Sequence, residues 1–240
     1  NTAFNLLTQG ITTINAGEGA SDAPLSEADS KTEGWKTMRQ YFTKLETAGM
    51  PMNMVQTVGH TQVRYLVIGD KDRQATPKEM DTMRGLVQEA MEAGAIGVST
   101  SLIYPPAIYG SEEEIAELTK VAGKYGGRYF THMRNEGDRL MEAIEEALRI
   151  GKAAGTPVHI FHLKTAGQAN WGKMDMAIAR IKEARSNGQE VGVDIYPYIN
   201  NGLGIRALLH PRHAAYGQEA LRTKLQDPKV RAEMRGEMET

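Results

Sequence analysis

The sequence predicts an α/β protein built as a (β/α)8 barrel of the TIM type, truncated to about six βα units with the first and last strands missing. Three observations predict it. Short β-branched and apolar runs recur about every 30 to 40 residues, helical patterns fill the intervals, and glycines stop the helices before the next run. A doubly wound open sheet is the alternative arrangement of the same units.

The strand runs are Ile11–Ala16, Asn53–Val58, Ala95–Thr100, Arg128–Met133, Val158–Leu163 and Val191–Tyr196. They are nearly continuous in apolar residues, as parallel strands buried on both faces require. Between them, Pro77–Ala93 carries Met80, Met83, Leu86, Val87 and Ala90 at helical spacing. Glu112–Lys124, Leu140–Ala153 and Met174–Arg185 repeat the pattern. Gly94, Gly126 and Gly155, and the pair Asn187-Gly188, are helix stops. No linker or low-complexity stretch divides the chain, so residues 1–240 read as one domain. Asn1–Gly10 reads as the end of an amphipathic helix, and Asp227–Thr240 as a charged helical segment without a cap. Both ends read as cuts through a longer protein, which leaves localisation unreadable.

Composition narrows the function classes. With 40% apolar and 24% charged residues the chain has the balance of a globular protein. A net charge of -2 argues against nucleic acid and anionic lipid as partners. No run approaches the roughly 20 apolar residues of a membrane span. The chain has no cysteine, which excludes disulfides and thiolate metal sites. Its 13 methionines fall mainly at helical core positions.

In a barrel, reactive groups come from the C-terminal ends of strands and the loops after them. That rule selects Glu18 in Gly17-Glu-Gly19, His132 and Arg134 in Thr-His-Met-Arg, His162 and Lys164 in His-Leu-Lys, and Asp194, Tyr196 and Tyr198 in Asp-Ile-Tyr-Pro-Tyr. Two imidazoles and a carboxylate on three strand ends hold a divalent metal with a position left for water. Such a water is the nucleophile that hydrolysis of an unactivated amide needs. Each residue also has a structural reading: a strand-end His as a hydrogen-bonded core residue, Glu18 as a solvated loop carboxylate, Lys164 and Arg134 as partners of rim carboxylates. Their functional reading is to grip an anionic substrate group. Strand alternation puts His162 and Lys164 on one face and His159 on the other. His60 reads as a buried hydrogen-bonding residue, and His159, His210 and His213 as structural or surface residues.

At these residues the sequence resembles the N-acyl-D-amino-acid deacylase (D-aminoacylase) family of the amidohydrolase superfamily. The resemblance runs through Gln9-Gly-Ile-Thr-Thr, Gly17-Glu-Gly-Ala-Ser with Ala23-Pro24, and Gly59-His-Thr-Gln-Val-Arg64. It continues through Arg73-Gln-Ala-Thr, Glu89 to Pro106, Thr131-His-Met-Arg-Asn-Glu-Gly137, His159 to Lys164, Trp171-Gly172 and Asp194 to Tyr198. It is the order and spacing of these segments that carries the signal.

The resemblance implies a barrel, usually with a small β-sandwich formed from both termini, and one or two zinc ions. It implies His132 and His162 as metal ligands, with Glu18 in the role that a Cys fills in some members. Tyr104, Lys164 and Tyr196 fall where the family contacts the substrate carboxylate and the scissile amide. The His-x-His pair of the family's first strand would precede Asn1, and the general-base Asp of its last strand would follow Thr240. Ser99-Thr100-Ser101 offers no Lys for carboxylation, which argues against the hydantoinase and dihydroorotase branches. Asn200-Asn201-Gly202 stands where Ser or Thr is common, which bears on the substrate.

The expected activity is hydrolysis of the amide of an N-acyl-D-amino acid or related small amide by a metal-activated water. The alternatives are a cyclic amidase or deaminase on the same scaffold, or a catalytically incomplete fragment or paralogue. The expected partner is the small substrate, and open sheet edges point to association with a second copy.

Overall fold

All strand pairing among the described residues is parallel, and the strands follow one another in chain order without reversal. The computed structural model describes residues 3–202, 204, 209–214 and 217–238; the outermost residues of both predicted terminal helices lie outside them. Strands β1 (Thr13–Ala16) and β2 (Asn53–Gln56) form a two-stranded sheet. A five-stranded sheet runs β3 (Val58–Gly59), β4 (Gly97–Ser101), β5 (Arg128–His132), β6 (Val158–Ile160) and β7 (Val191–Val193). The predicted run Asn53–Val58 is thus divided at Thr57 between two sheets. Hydrogen bonding continues across the division, since Ile96 N donates to Gln56 O at 2.9 Å.

The helices are α1 (Phe4–Leu7), α2 (Glu27–Glu33), α3 (Met38–Ala48), α4 (His60–Ile68), α5 (Pro77–Ala93), α6 (Glu112–Gly123), α7 (Leu140–Ala154) and α8 (Met174–Ser186). The C-terminal part adds α9 (Pro211–Ala214), α10 (Gly217–Lys224) and α11 (Pro228–Met238). Helix α5 matches its predicted span because both ends are encoded locally. Thr76 and Glu79 form a capping box, Pro77 opens the first turn, and Gly94 takes the left-handed conformation at φ 114°. Helices α3 and α4 interrupt the simple alternation predicted between the first and third strand runs. Helix α3 has its own capping box, Thr37 with Gln40. Helix α4 has no side-chain cap and begins at His60 directly from β3. No described helix is long and apolar enough to cross a membrane.

The core lies between sheet and helices in two clusters. One gathers Tyr129, Ile144, Ile150, Ile160 and Ile181 from β5, β6, α7 and α8. The other gathers Met38, Val63, Met83, Val98 and Leu118 from α3 to α6 and β4. Burial of both faces holds for β4, where every residue is buried, and nearly so for β5. It fails for β1, whose residues alternate between exposed and half-buried, because β1 is an outer strand among the described residues.

Candidate functional site

The C-terminal ends of β1, β5, β6 and β7 lead into loops that converge on one cavity of about 340 Å³. Glu18, Tyr104, His132, Glu136, His162, Lys164 and Tyr196 line it, with Tyr198 and Asn200 to Gly202 at one side. The volume suits a small ligand. A larger hollow of about 580 Å³ lies between α7 and α8 at the opposite end of the strands. Its guanidinium groups are already paired, Arg180 with Glu145 and Arg149 with Glu112.

Glu18 reaches the cavity because two glycines turn the chain around it. Gly17 and Gly19 have φ of 94° and 72°, and a Cβ at Gly17 would sit 2.5 Å from the Thr57 hydroxyl oxygen. At Gly19 a Cβ would overlap Ser101. The turn is bolted to its neighbours: Gly19 N donates to Ser99 Oγ at 3.0 Å, and the hydroxyls of Ser99 and Thr57 both donate to Gly17 O.

His132 is the last residue of β5 and is buried. His162 stands two residues beyond the end of β6, so strand alternation no longer sets its direction. A left-handed backbone at φ 38° does so instead, a conformation uncommon outside glycine. Asp194, at the end of β7, holds that turn: its Oδ1 accepts from His162 N at 2.5 Å while its Oδ2 lies 2.8 Å from His159 Nε2. Asp194 therefore supports the site from behind, and His159 serves structure, as expected.

The two imidazoles meet edge to face with centroids 4.5 Å apart. His132 Nδ1 and His162 Nε2 lie 2.8 and 2.9 Å from the same oxygen, Glu18 Oε1. One ligand-type atom from each of the three residues falls within 4.8 Å of the other two. On the far side, Glu136 Oε1 is 3.1 Å from His162 Nδ1 and accepts from Lys164 Nζ at 2.6 Å. Lys164 Nζ also lies 2.8 Å from His162 Nδ1 and donates to His162 O at 3.0 Å.

These contacts set the charges. Hydrogen bonds to His132 and then His162 outweigh desolvation and hold the Glu18 carboxyl well below the usual carboxylate range. Burial disfavours charge on His162, but the hydrogen bonds to Glu136 and Glu18 prevail and raise its pKa to about 9. Burial would raise Glu136, yet His162, His132 and Lys164 bring it below its ordinary value. Burial, then the charges of Glu18 and Glu136, keeps the Tyr104 phenol protonated above its usual range; burial and Glu136 do the same for Tyr196. Both phenols remain O–H donors at the cavity.

Six of the seven predicted site residues therefore share one cavity: Glu18, His132, His162, Lys164, Tyr104 and Tyr196. Arg134 is elsewhere. Its guanidinium pairs with Glu146 at 2.8 to 3.0 Å and donates to the carbonyls of Ile108 and Gly110, outside the cavity lining. It thereby braces the segment that follows Tyr104. Glu136 is the residue that sequence reasoning missed. Its signal was available: a carboxylate four residues after His132, before Gly137, in the loop after a strand. His60, which follows the Asn53–Val58 run, is buried with Nε2 2.8 Å from Glu114 Oε1, as expected of a hydrogen-bonded buried residue.

Comparison with known proteins finds relatives over about four fifths of the chain. No family model matches the chain. A D-aminoacylase of Alcaligenes xylosoxydans xylosoxydans is 39% identical over 204 residues, which is 80% of this chain and 42% of that protein. A crystal structure of D-aminoacylase, described as defining a subset of amidohydrolases, superposes with a TM-score of 0.74 at 38% identity, over 80% of this chain and 43% of that one. An N-acyl-D-glutamate deacylase from Bordetella bronchiseptica, complexed with zinc and a phosphonate mimic of the tetrahedral intermediate, gives 0.72 at 32% identity. It covers 81% of this chain and 43% of its own. The chain thus spans somewhat under half the length of the relatives it matches.

Proposed function

From its kinship with the N-acyl-D-amino-acid deacylases, we propose that this chain carries the metal-binding core of an amidohydrolase that cleaves N-acyl-D-amino acids or related small amides. The observation that carries the reading is the convergence of Glu18 Oε1, His132 Nδ1 and His162 Nε2 from three strand ends on one cavity. Two imidazole nitrogens and a carboxylate oxygen are the donor set of a catalytic zinc site, which keeps one position for water or substrate. The orientation fits as well. Each ring turns one nitrogen toward Glu18 and the cavity while its other nitrogen faces the buried Glu136. A divalent ion held there supplies Lewis acidity toward a carbonyl and acidifies water.

The remaining residues bind and orient. Lys164 and the phenols of Tyr104 and Tyr196 offer donors at the wall, suited to the carboxylate of an N-acyl amino acid and to the oxygen of its amide. Lys164 Nζ lies 5.6 Å from the Tyr196 ring centroid, so the two act on one part of the cavity. The unreversed parallel order supports a barrel of βα units as the scaffold, with residues 1–240 as a single domain. The outer strands β1 and β7 favour covering by a second copy.

The test is zinc binding followed by turnover. The purified protein is expected to bind zinc through Glu18, His132 and His162, and any hydrolysis of N-acetyl amino acids it performs is expected to favour the D-enantiomers. Elemental analysis showing no zinc retained above that of a His132→Ala/His162→Ala variant would remove the metal reading. Hydrolysis confined to cyclic amides would shift it to the alternative chemistry.

A further inference from the structure

We infer that Glu136 is a positioning residue that fixes opposite tautomers on His132 and His162, so that both present a lone pair on the Glu18 side. The inference rests on the metal reading above and extends it to a residue outside the three-atom cluster.

The geometry is that of two rings held between two carboxylates. On one side Glu18 Oε1 lies 2.8 Å from His132 Nδ1 and 2.9 Å from His162 Nε2. On the other, Glu136 Oε1 lies 3.1 Å from His162 Nδ1, and Glu136 Oε2 lies 3.6 Å from His132 Nε2. That His132 nitrogen is buried and has no hydrogen-bond partner among the described residues, so Glu136 is the acceptor it faces. A neutral imidazole has one N–H and one lone pair. If a cation takes the Glu18-side nitrogens, the protons must stand at His132 Nε2 and His162 Nδ1. Both point at the same buried carboxylate, the arrangement by which an outer carboxylate orients a ligating histidine.

Lys164 makes the requirement sharper. Its ammonium lies 2.8 Å from His162 Nδ1 and has only donors to offer. Left alone with that nitrogen, it favours a lone pair on Nδ1 and therefore the proton on Nε2, the tautomer that cannot ligate on the Glu18 side. Glu136 counters this by accepting from Nζ at 2.6 Å, while His162 O accepts another ammonium proton at 3.0 Å. Glu136 is itself only 8% exposed and firmly placed. Asn135 Oδ1 accepts from Gly137 N and Arg139 N at 2.8 and 3.0 Å, and Glu136 O accepts from Ala166 N at 2.7 Å. A carboxylate is needed because an amide has one acceptor atom and these neighbours present three donors.

The experiment reads tautomers and zinc affinity rather than turnover. Long-range proton–nitrogen NMR on histidine-labelled protein loaded with zinc should show N–H at His162 Nδ1 and His132 Nε2. Chelator competition should show Glu136→Gln and Glu136→Ala binding zinc about 10–100-fold more weakly. Adding Lys164→Met to Glu136→Gln should restore part of the affinity and of the Nδ1–H tautomer, a rescue that a purely structural role does not produce. That double variant also keeps the test open should Glu136→Ala, which leaves Lys164 unpaired, fail to fold. Unchanged zinc affinity and unchanged tautomers in Glu136→Gln, with zinc bound by the unsubstituted protein, overturn this inference and leave the metal reading standing. Absence of zinc binding by the unsubstituted protein overturns both.

Discussion

The His60–Arg64–Glu114 triad and the Glu18–His132–His162–Glu136–Lys164 cluster use the same kinds of group, imidazole, cation and carboxylate, but the first is sealed and the second opens onto a cavity. In the triad Arg64 and His60 are fully buried, and Glu114 accepts from Arg64 Nη1 at 2.6 and 2.8 Å while facing His60 Nε2 at 2.8 Å. Burial pushes Glu114 up, but His60 and Arg64 together bring it below its ordinary value. Gly110 packs against the His60 ring closely enough that a Cβ there would lie 2.8 Å from it, so the ring itself is tightly enclosed. In the open cluster Glu18 keeps 46% of its side chain exposed. Composition does not separate a lock from a site. What separates them is whether solvent is shut out: Arg64 and His60 are fully buried, whereas Glu18 faces an open cavity.

The largest effect should come from breaking the sealed cluster. Arg64→Met leaves Glu114 without its ion-pair partner in a dry interior, and denaturant unfolding should show a loss of about 3–5 kcal/mol. A loss near zero would mean that the triad is no more than the sum of exposed contacts. The open cluster should respond to ligand instead. Zinc at about 100 times its dissociation constant should stabilise the unsubstituted protein by about 2.7 kcal/mol and leave a Glu18→Ala variant unmoved. Equal stabilisation of both proteins would place the ion elsewhere.

Arg134 tests the boundary between the two behaviours, since it was read as a substrate group and stands as a brace. Arg134→Ala should cost about 1–3 kcal/mol in thermal or denaturant unfolding, because Glu146 and two carbonyls lose their donor. If its role were substrate binding alone, stability would hold and only KM would rise. The smallest effect belongs to the exposed pair Arg149–Glu112, where Arg149→Ala should change stability by about 0–1 kcal/mol and should matter less still at high salt.

Local signals made much of the scaffold legible. Helix α5 carries its capping box, its Pro and its terminal Gly within its own sequence, and its bounds were read correctly. Helix α4 was not read, because it begins without a side-chain cap and covers only His60–Ile68. The division of Asn53–Val58 at Thr57 was equally invisible, since hydroxyl contacts from Thr57 to Gly17 and Ser99 bind residues about 40 positions away. Glu18, His132 and His162 could be named because strand ends and glycine turns are periodic features. Glu136 carried only a weak signal, a carboxylate in the loop after His132; its contacts with His162 and Lys164, 26 and 28 positions further on, single it out.

The sequence by itself determined the alternation of strands and helices and the stops between them, because each depends on neighbours within a turn or two of the chain. Tertiary structure alone decided which nitrogen of each imidazole faces which carboxylate, that Arg134 braces the segment after Tyr104, and that Lys164 shares Glu136 with His162. Those outcomes depend on the left-handed turn at His162, on Asp194 holding it from another strand, and on burial of the groups involved. Hydrogen bonds are directional and effective over about 3 Å, so their pairing is fixed only when distant segments have packed.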